Sequence, residues 1–143
     1  MSRSNIQRTG ARRSHVYGAI LGLLALLAAN ATAFAQSLPP WSVWQNQRGS
    51  FMKIFGIDPQ GNFTGLYINN APGFACQGLP GFALTGHTKG AAVAFRVAWN
   101  NGIQNCNSTT VWTGRFSGAK LPTTWVLFGP NGTQRGADIF TQQ

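Results

Sequence analysis

Beyond residue 40 the chain falls into short stretches in which alternate positions are apolar. "FMKIFGI" at 51–57, "NFTGLYI" at 62–68, "FRVAW" at 95–99 and "TWVLF" at 124–128 show the pattern. A period of two places successive side chains on opposite faces of a strand, and no long stretch repeats apolar residues at helical spacing. Eight strands are predicted: Ser42–Asn46, Ser50–Ile57, Asn62–Ile68, Ala83–Lys89, Ala91–Asn100, Thr109–Phe116, Thr123–Phe128 and Gly136–Thr141. Turn residues separate them. Asp58-Pro59-Gln60-Gly61 has proline and glycine at the second and fourth positions of a turn, and Gly129-Pro130-Asn131-Gly132 is a second such signal. Two connections are longer, Asn69–Phe82 and Asn101–Ser108. Sequential hairpins without helical crossovers form a meander. In so small a domain, eight antiparallel strands remove their exposed edges by closing. The expected fold is all-β, an eight-stranded antiparallel up-and-down β-barrel, with a two-sheet sandwich as the alternative. An eight-stranded barrel can hold one small ligand inside.

The first 35 residues follow another rule. Arg3, Arg8, Arg12 and Arg13 precede an apolar stretch, "AILGLLALLAANATAFA", that ends in Ala33-Phe34-Ala35. A basic start, a short apolar core and an A-x-A ending read as a cleaved secretory signal peptide, residues 1–35. The core is shorter than the roughly 20 residues a membrane helix needs. The mature domain is expected to be residues 36–143, secreted or periplasmic, with no membrane association after cleavage. Cleavage also changes the charge. The whole chain carries a formal net charge of +9. The mature part keeps Arg48, Lys53, Lys89, Arg96, Arg115, Lys120 and Arg135 against Asp58 and Asp138. These cations are scattered singly, and nucleic-acid binders cluster theirs on one face; no nucleic-acid partner is expected.

Cys76 and Cys106 are the chain's two cysteines. In an exported protein they most simply form one disulfide. It would join the two long loops at one mouth of the barrel, as a stabilising staple or as a pre-ordered lid. His87 is the one histidine beyond the leader, and no C-x-x-C pair accompanies it. That pattern offers neither a metal ligand set nor a Ser–His–Asp arrangement, so neither a metal nor catalysis is expected.

The chain has five tryptophans. Trp44, Trp99, Trp112 and Trp125 fall within or at the ends of predicted strands, several beside threonine or asparagine. Core filling is one explanation. A dry pocket with a few fixed hydrogen-bonding groups is the other. Asp138 lies inside the last predicted strand, where a carboxylate must be paired. Arg115 or Arg135 could pair it structurally; a ligand N–H could use it functionally.

Seven motifs then occur in order: W-x-N-x-x-G-S at 44–50, G-x-Y at 65–67, L-T-G at 84–86, V-A-W at 97–99, N-S-T-T-V-W-T-G at 107–114, T-x-W at 123–125 and G-x-D-x-F at 136–140. The set resembles the avidin and streptavidin family of biotin-binding proteins along essentially the whole mature chain. Streptavidin is itself a standard example of a ligand-holding eight-stranded barrel and of extreme affinity. The resemblance implies non-catalytic binding of biotin, with no cofactor. It implies that Asn46, Ser50 and Tyr67 donate hydrogen bonds to the ureido oxygen, while Asp138 and Asn69 accept from the two ureido N–H groups. By the same resemblance Thr110 faces the thioether sulfur, Ser108 meets the valerate carboxylate, and Trp99, Trp112 and Trp125 form aromatic walls. Trp44 would close the barrel floor. Tetrameric members carry a further tryptophan between the last two strands, and 126–137 has none. Cys76 and Cys106 look like the disulfide of the dimeric bacterial branch typified by rhizavidin. A homodimer with each pocket inside one subunit is therefore implied. A secreted carrier of another small molecule, or an interaction domain with a tryptophan-filled core, are the alternative functions.

Overall fold

The computed structural model describes residues 37–143; the predicted leader lies outside them. Eight strands form, at β1 Val43–Asn46, β2 Phe51–Ile57, β3 Asn62–Ile68, β4 Phe82–Lys89, β5 Ala92–Asn100, β6 Asn105–Arg115, β7 Lys120–Gly129 and β8 Gly132–Gln142. Each pairs antiparallel with its neighbour in sequence, and β1 pairs with β8, so the sheet closes into a barrel. The expected fold is the observed one.

Inward positions follow the alternation. Trp44, Met52, Ile54, Phe63, Leu84, Val93, Leu121 and Phe140 are all buried. Burying side chains such as Met52 and Ile54 stabilises the fold by roughly 1.5–3 kcal/mol each. Trp44 donates its indole N–H to Ser42 Oγ at 2.9 Å, so its one polar atom is satisfied.

Three strands, β6, β7 and β8, begin three or four residues before their predicted starts. Strand β7 begins at Lys120 and includes Pro122, which pairs with Ile139 of β8. The last β6–β7 pair is Gly114↔Thr123, so Pro122 has only one sheet neighbour and its missing N–H is tolerated. Strand β8 begins at Gly132 and not at Gly136. Strand β6 begins at Asn105, which moves Cys106 from the expected loop into a strand. The register there is irregular. Ala98 faces Thr109 and Asn100 faces Asn105, so Cys106, Asn107 and Ser108 stand opposite Trp99 alone. Asn107 takes a φ of 48°, a left-handed conformation that asparagine accepts more readily than most residues. This bulge hides the alternation that would have revealed the start of β6.

Up-and-down order places the β1–β2 turn, the long β3–β4 loop, the β5–β6 loop and the β7–β8 turn at one mouth. The candidate site residues cluster toward that mouth.

Candidate functional site

The tight β1–β2 connection explains why polar Asn46 and Ser50 stand directly before a buried strand. Asn46 Oδ1 accepts the backbone N–H groups of Arg48 at 3.0 Å and Ser50 at 2.9 Å. Gly49 completes the turn at a φ of 83°, where a side chain would be strained. With its oxygen occupied by the turn, the Asn46 amide can only turn its NH2 inward. That group lies 3.4 Å from Tyr67 Oη. The backbone thus fixes which end of Asn46 faces the barrel.

Tyr67 is buried, and burial pushes its pKa well above the ordinary tyrosine value, with the negative charge of Asp138 adding to the effect. Its hydroxyl therefore keeps its proton and remains a donor. Ser50 is fully buried; it donates to Asn69 Oδ1 at 3.3 Å and accepts from the Asn70 amide at 3.0 Å. Asn69 follows the end of β3. Its NH2 donates to the carbonyls of Ala75 at 3.2 Å and Cys76 at 3.4 Å, while Oδ1 also accepts the Ala71 amide at 3.1 Å. Asn69 thus ties the long loop back onto the barrel wall.

Asp138 points inward from β8 and is buried. Its Oδ2 accepts the Trp112 indole N–H at 2.9 Å. Its Oδ1 receives Gln47 Nε2 at 3.4 Å and lies 3.3 Å from Arg48 Nε. The structural ion partner is therefore Arg48, and neither Arg115 nor Arg135. Strand parity explains the correction. Asp138 shares the inward face of β8 with Gly136 and Phe140, which places Arg135 on the outer face. Trp112 faces inward on β6, and Arg115, three residues on, faces solvent.

Aromatic side chains wall this polar group. Trp112 stacks on Phe95 at a centroid distance of 4.8 Å and on Tyr67 at 5.1 Å. Trp99 meets Tyr67 edge-on at 5.7 Å. Its indole N–H donates to Thr110 Oγ1 at 2.8 Å, which leaves the threonine hydroxyl hydrogen free for another acceptor. Trp125 rests on Gly136, where an added Cβ would come within 2.3 Å of its ring. Phe74, from the long loop, abuts Trp125 edge-on at 6.2 Å.

The walls enclose a cavity of about 270 Å³. Nine of the ten residues expected to bind ligand line it: Asn46, Tyr67, Asn69, Trp99, Ser108, Thr110, Trp112, Trp125 and Asp138. Ser50 does not; its hydroxyl lies beside Asn69 Oδ1 and within hydrogen-bonding reach of the Tyr67 hydroxyl. The indoles surround the space and do not fill it. Cys76 and Cys106 are bonded to each other, and Cys106 belongs to the lining. The long loop is further held by Gly78 N–H on the Asn69 carbonyl at 2.9 Å and Gln104 on the Gln77 carbonyl at 3.1 Å.

Arg48, Phe74, Leu127, Asn131 and Gln134 also line the cavity, and the sequence reading did not assign them. Leu127 had a signal, since it shares strand parity with Trp125; Gln134 lies before the predicted start of the last strand and had none. Arg48 and Phe74 sit in a turn and a loop, where no periodicity reveals direction.

The geometry has counterparts. The Avidin family model matches residues 34–143. Afifavidin of Afifella pfennigii is 38% identical over 91% of this chain and 92% of its own length. The crystal structure of a rhizavidin–biotin complex is 40% identical, with a TM-score of 0.68 over 73% of this chain and 92% of that one. A shwanavidin variant in complex with biotin is 38% identical, with a TM-score of 0.71 over 76% of this chain and 100% of that one. The barrel, the ordered motifs and these matches have one explanation: the chain belongs to the avidin family.

Proposed function

We propose that this protein binds biotin without catalysis, holding the ureido group by hydrogen bonds and enclosing the bicyclic ring between tryptophans. The observation that carries the reading is the convergence of nine assigned residues on one cavity. Asn46 and Tyr67 bring N–H and O–H donors together, and Asp138 brings an anionic acceptor. Donors aimed at one oxygen in a water-poor site stabilise negative charge on it, and a carboxylate on an opposing N–H strengthens that polarisation. Ser50 completes the donor set by rotating its hydroxyl from Asn69. Asn69 accepts from the second ureido N–H, Thr110 donates toward the thioether sulfur, and Ser108 meets the carboxylate. Trp99, Trp112 and Trp125 supply the apolar contact.

The mature protein, residues 36–143, is a secreted or periplasmic homodimer with each pocket inside one subunit. The leader-like segment and the lack of tryptophan in 126–137 support this. Biotin calorimetry with parallel light scattering tests ligand, stoichiometry and subunit count together. Biotin should quench tryptophan fluorescence and raise the melting temperature, because a ligand that binds only the native state stabilises it. No heat, no quenching and an unchanged melting temperature would reject the reading.

A further inference from the structure

Strand β1 stops too early to hold the whole of its partner β8. Its last pair is Asn46↔Phe140, and the chain then turns, with the Gly49 N–H bonded to the Asn46 carbonyl at 3.0 Å. Along an antiparallel strand, successive residues point their N–H and C=O groups to opposite neighbours. Thr141, which pairs with Gln45, shares its direction with Ile139 and Ala137, and continued pairing would set residue 47 opposite Ile139. The backbone of Gln47 belongs to the turn instead, and its side chain takes the vacant place. Gln47 Oε1 accepts the Ile139 N–H at 2.8 Å, and Nε2 donates to the Ala137 carbonyl at 3.3 Å. A primary amide carries the same acceptor and donor as a peptide group. Gln47 therefore continues the β1–β8 ladder with a side chain where the main chain has left it.

The residue between Ala137 and Ile139 is Asp138. Its own carbonyl points to β7 and accepts the Thr123 hydroxyl at 3.1 Å. Anchoring from β7 alone leaves the strand a rolling motion about that edge. Bonds on both sides remove this motion and fix the direction of the Asp138 side chain. The other Nε2 hydrogen of Gln47 faces Asp138 Oδ1 at 3.4 Å. The 2.8 Å bond holds the backbone, whereas the 3.4 Å contact is weak enough for a ligand N–H to share that oxygen. We propose that Gln47 is a positioning residue whose amide splints β8 at the barrel seam and so aims Asp138 at the ligand's N–H, a role that rests on the biotin reading above.

The test is a double-mutant cycle read by biotin calorimetry, with Gln47→Met and Asp138→Asn made singly and together. Methionine keeps the length of the side chain and removes its hydrogen bonds. Gln47 is exposed, so the change leaves the core packed. Gln47→Met should weaken biotin binding by about 3- to 10-fold, the size of a net hydrogen bond. In the Asp138→Asn background the same change should cost less than about 2-fold, because the group it aims is gone. A merely structural glutamine would weaken both backgrounds equally. Hydrogen exchange reads the splint directly. The Ile139 amide should be protected in the wild-type protein, although β1 does not reach it, and should exchange faster in Gln47→Met. No loss of affinity in Gln47→Met, equal losses in the two backgrounds, or a wild-type Ile139 amide that exchanges like an exposed loop amide overturns this inference alone. Wild-type protein that binds no biotin overturns the ligand reading and this inference with it.

Discussion

Replacing Asp138 with asparagine tests the anionic acceptor with little change of shape. The carboxylate receives three donors, Trp112 Nε1 at 2.9 Å, Arg48 Nε at 3.3 Å and Gln47 Nε2 at 3.4 Å. An asparagine has one carbonyl oxygen for these three. Keeping it on Trp112 turns the new NH2 toward Arg48 and Gln47, donor against donor. Gln47 cannot flip freely to accept, because its Oε1 already takes the Ile139 amide at 2.8 Å. The Arg48 pair is half-exposed, so its loss removes at most about 1 kcal/mol. We expect unfolding free energy to fall by about 1–2 kcal/mol, with the barrel intact. Binding should suffer more. The ureido N–H facing position 138 would meet an NH2 and lose a charge-assisted hydrogen bond of about 1.5–3 kcal/mol, which is about 10- to 150-fold in affinity. Competition calorimetry gives the affinity and urea denaturation the stability. Biotin affinity unchanged in a folded Asp138→Asn variant would refute the assigned acceptor.

Gly136→Ala should act through Trp125, since the new Cβ would sit 2.3 Å from the ring. The indole must move, lowering stability by about 1–3 kcal/mol and shifting tryptophan emission; an unchanged spectrum and melting point would contradict the packing. Changing Cys76 and Cys106 to serine releases a link across a sequence separation of 30. The chain-entropy relation gives a loss of about 3–4 kcal/mol, and hydrogen exchange should rise in residues 70–81 more than in the strands. Tyr67 has a raised pKa in the folded state. The native state then holds the proton more tightly than the unfolded chain, so the contribution to stability is full below the ordinary value of about 10 and falls as pH rises above it. Urea midpoints from pH 9 upward should fall more steeply for wild type than for Tyr67→Phe, and parallel curves would count against the buried hydroxyl.

Much of the fold was legible because the barrel interior imposes a strict period of two. Tyr67, Trp99, Trp112, Trp125 and Asp138 occupy inward positions on their strands, and the pattern exposes them. The same parity excludes Arg115 and Arg135 as partners for Asp138, although their charge alone makes them attractive. Periodicity fails where the backbone departs from a regular strand. The start of β6 was hidden because Cys106, Asn107 and Ser108 bulge against Trp99. Arg48 was invisible for a related reason. Its direction is set by the hydrogen bonds of a turn, and only the fold reveals that the turn leans over Asp138. Phe74 lies in a loop whose path is set by the Asn69 anchor and the Cys76–Cys106 bond, and neither imposes a periodic pattern on the loop.

The hydrogen bonds of the site differ in length. Three that fix orientation are short: Asn46 Oδ1 to the Ser50 amide at 2.9 Å, Trp99 to Thr110 at 2.8 Å and Trp112 to Asp138 at 2.9 Å. Contacts among the groups assigned to meet the ureido ring are long: Asn46 to Tyr67 at 3.4 Å and Ser50 to Asn69 at 3.3 Å. Hydrogen bonds weaken beyond about 3.2 Å, so a ligand can take over the long contacts while the short ones keep each side chain aimed. The disulfide and the Asn69 anchor extend the same economy of motion to the loop, since a segment held before binding has little freedom left to lose. A variant that shortened the internal contacts, by letting Asn46 or Tyr67 satisfy one another fully, would gain stability when empty and lose affinity. Affinity in such a pocket therefore depends as much on leaving those donors loosely paired as on supplying them.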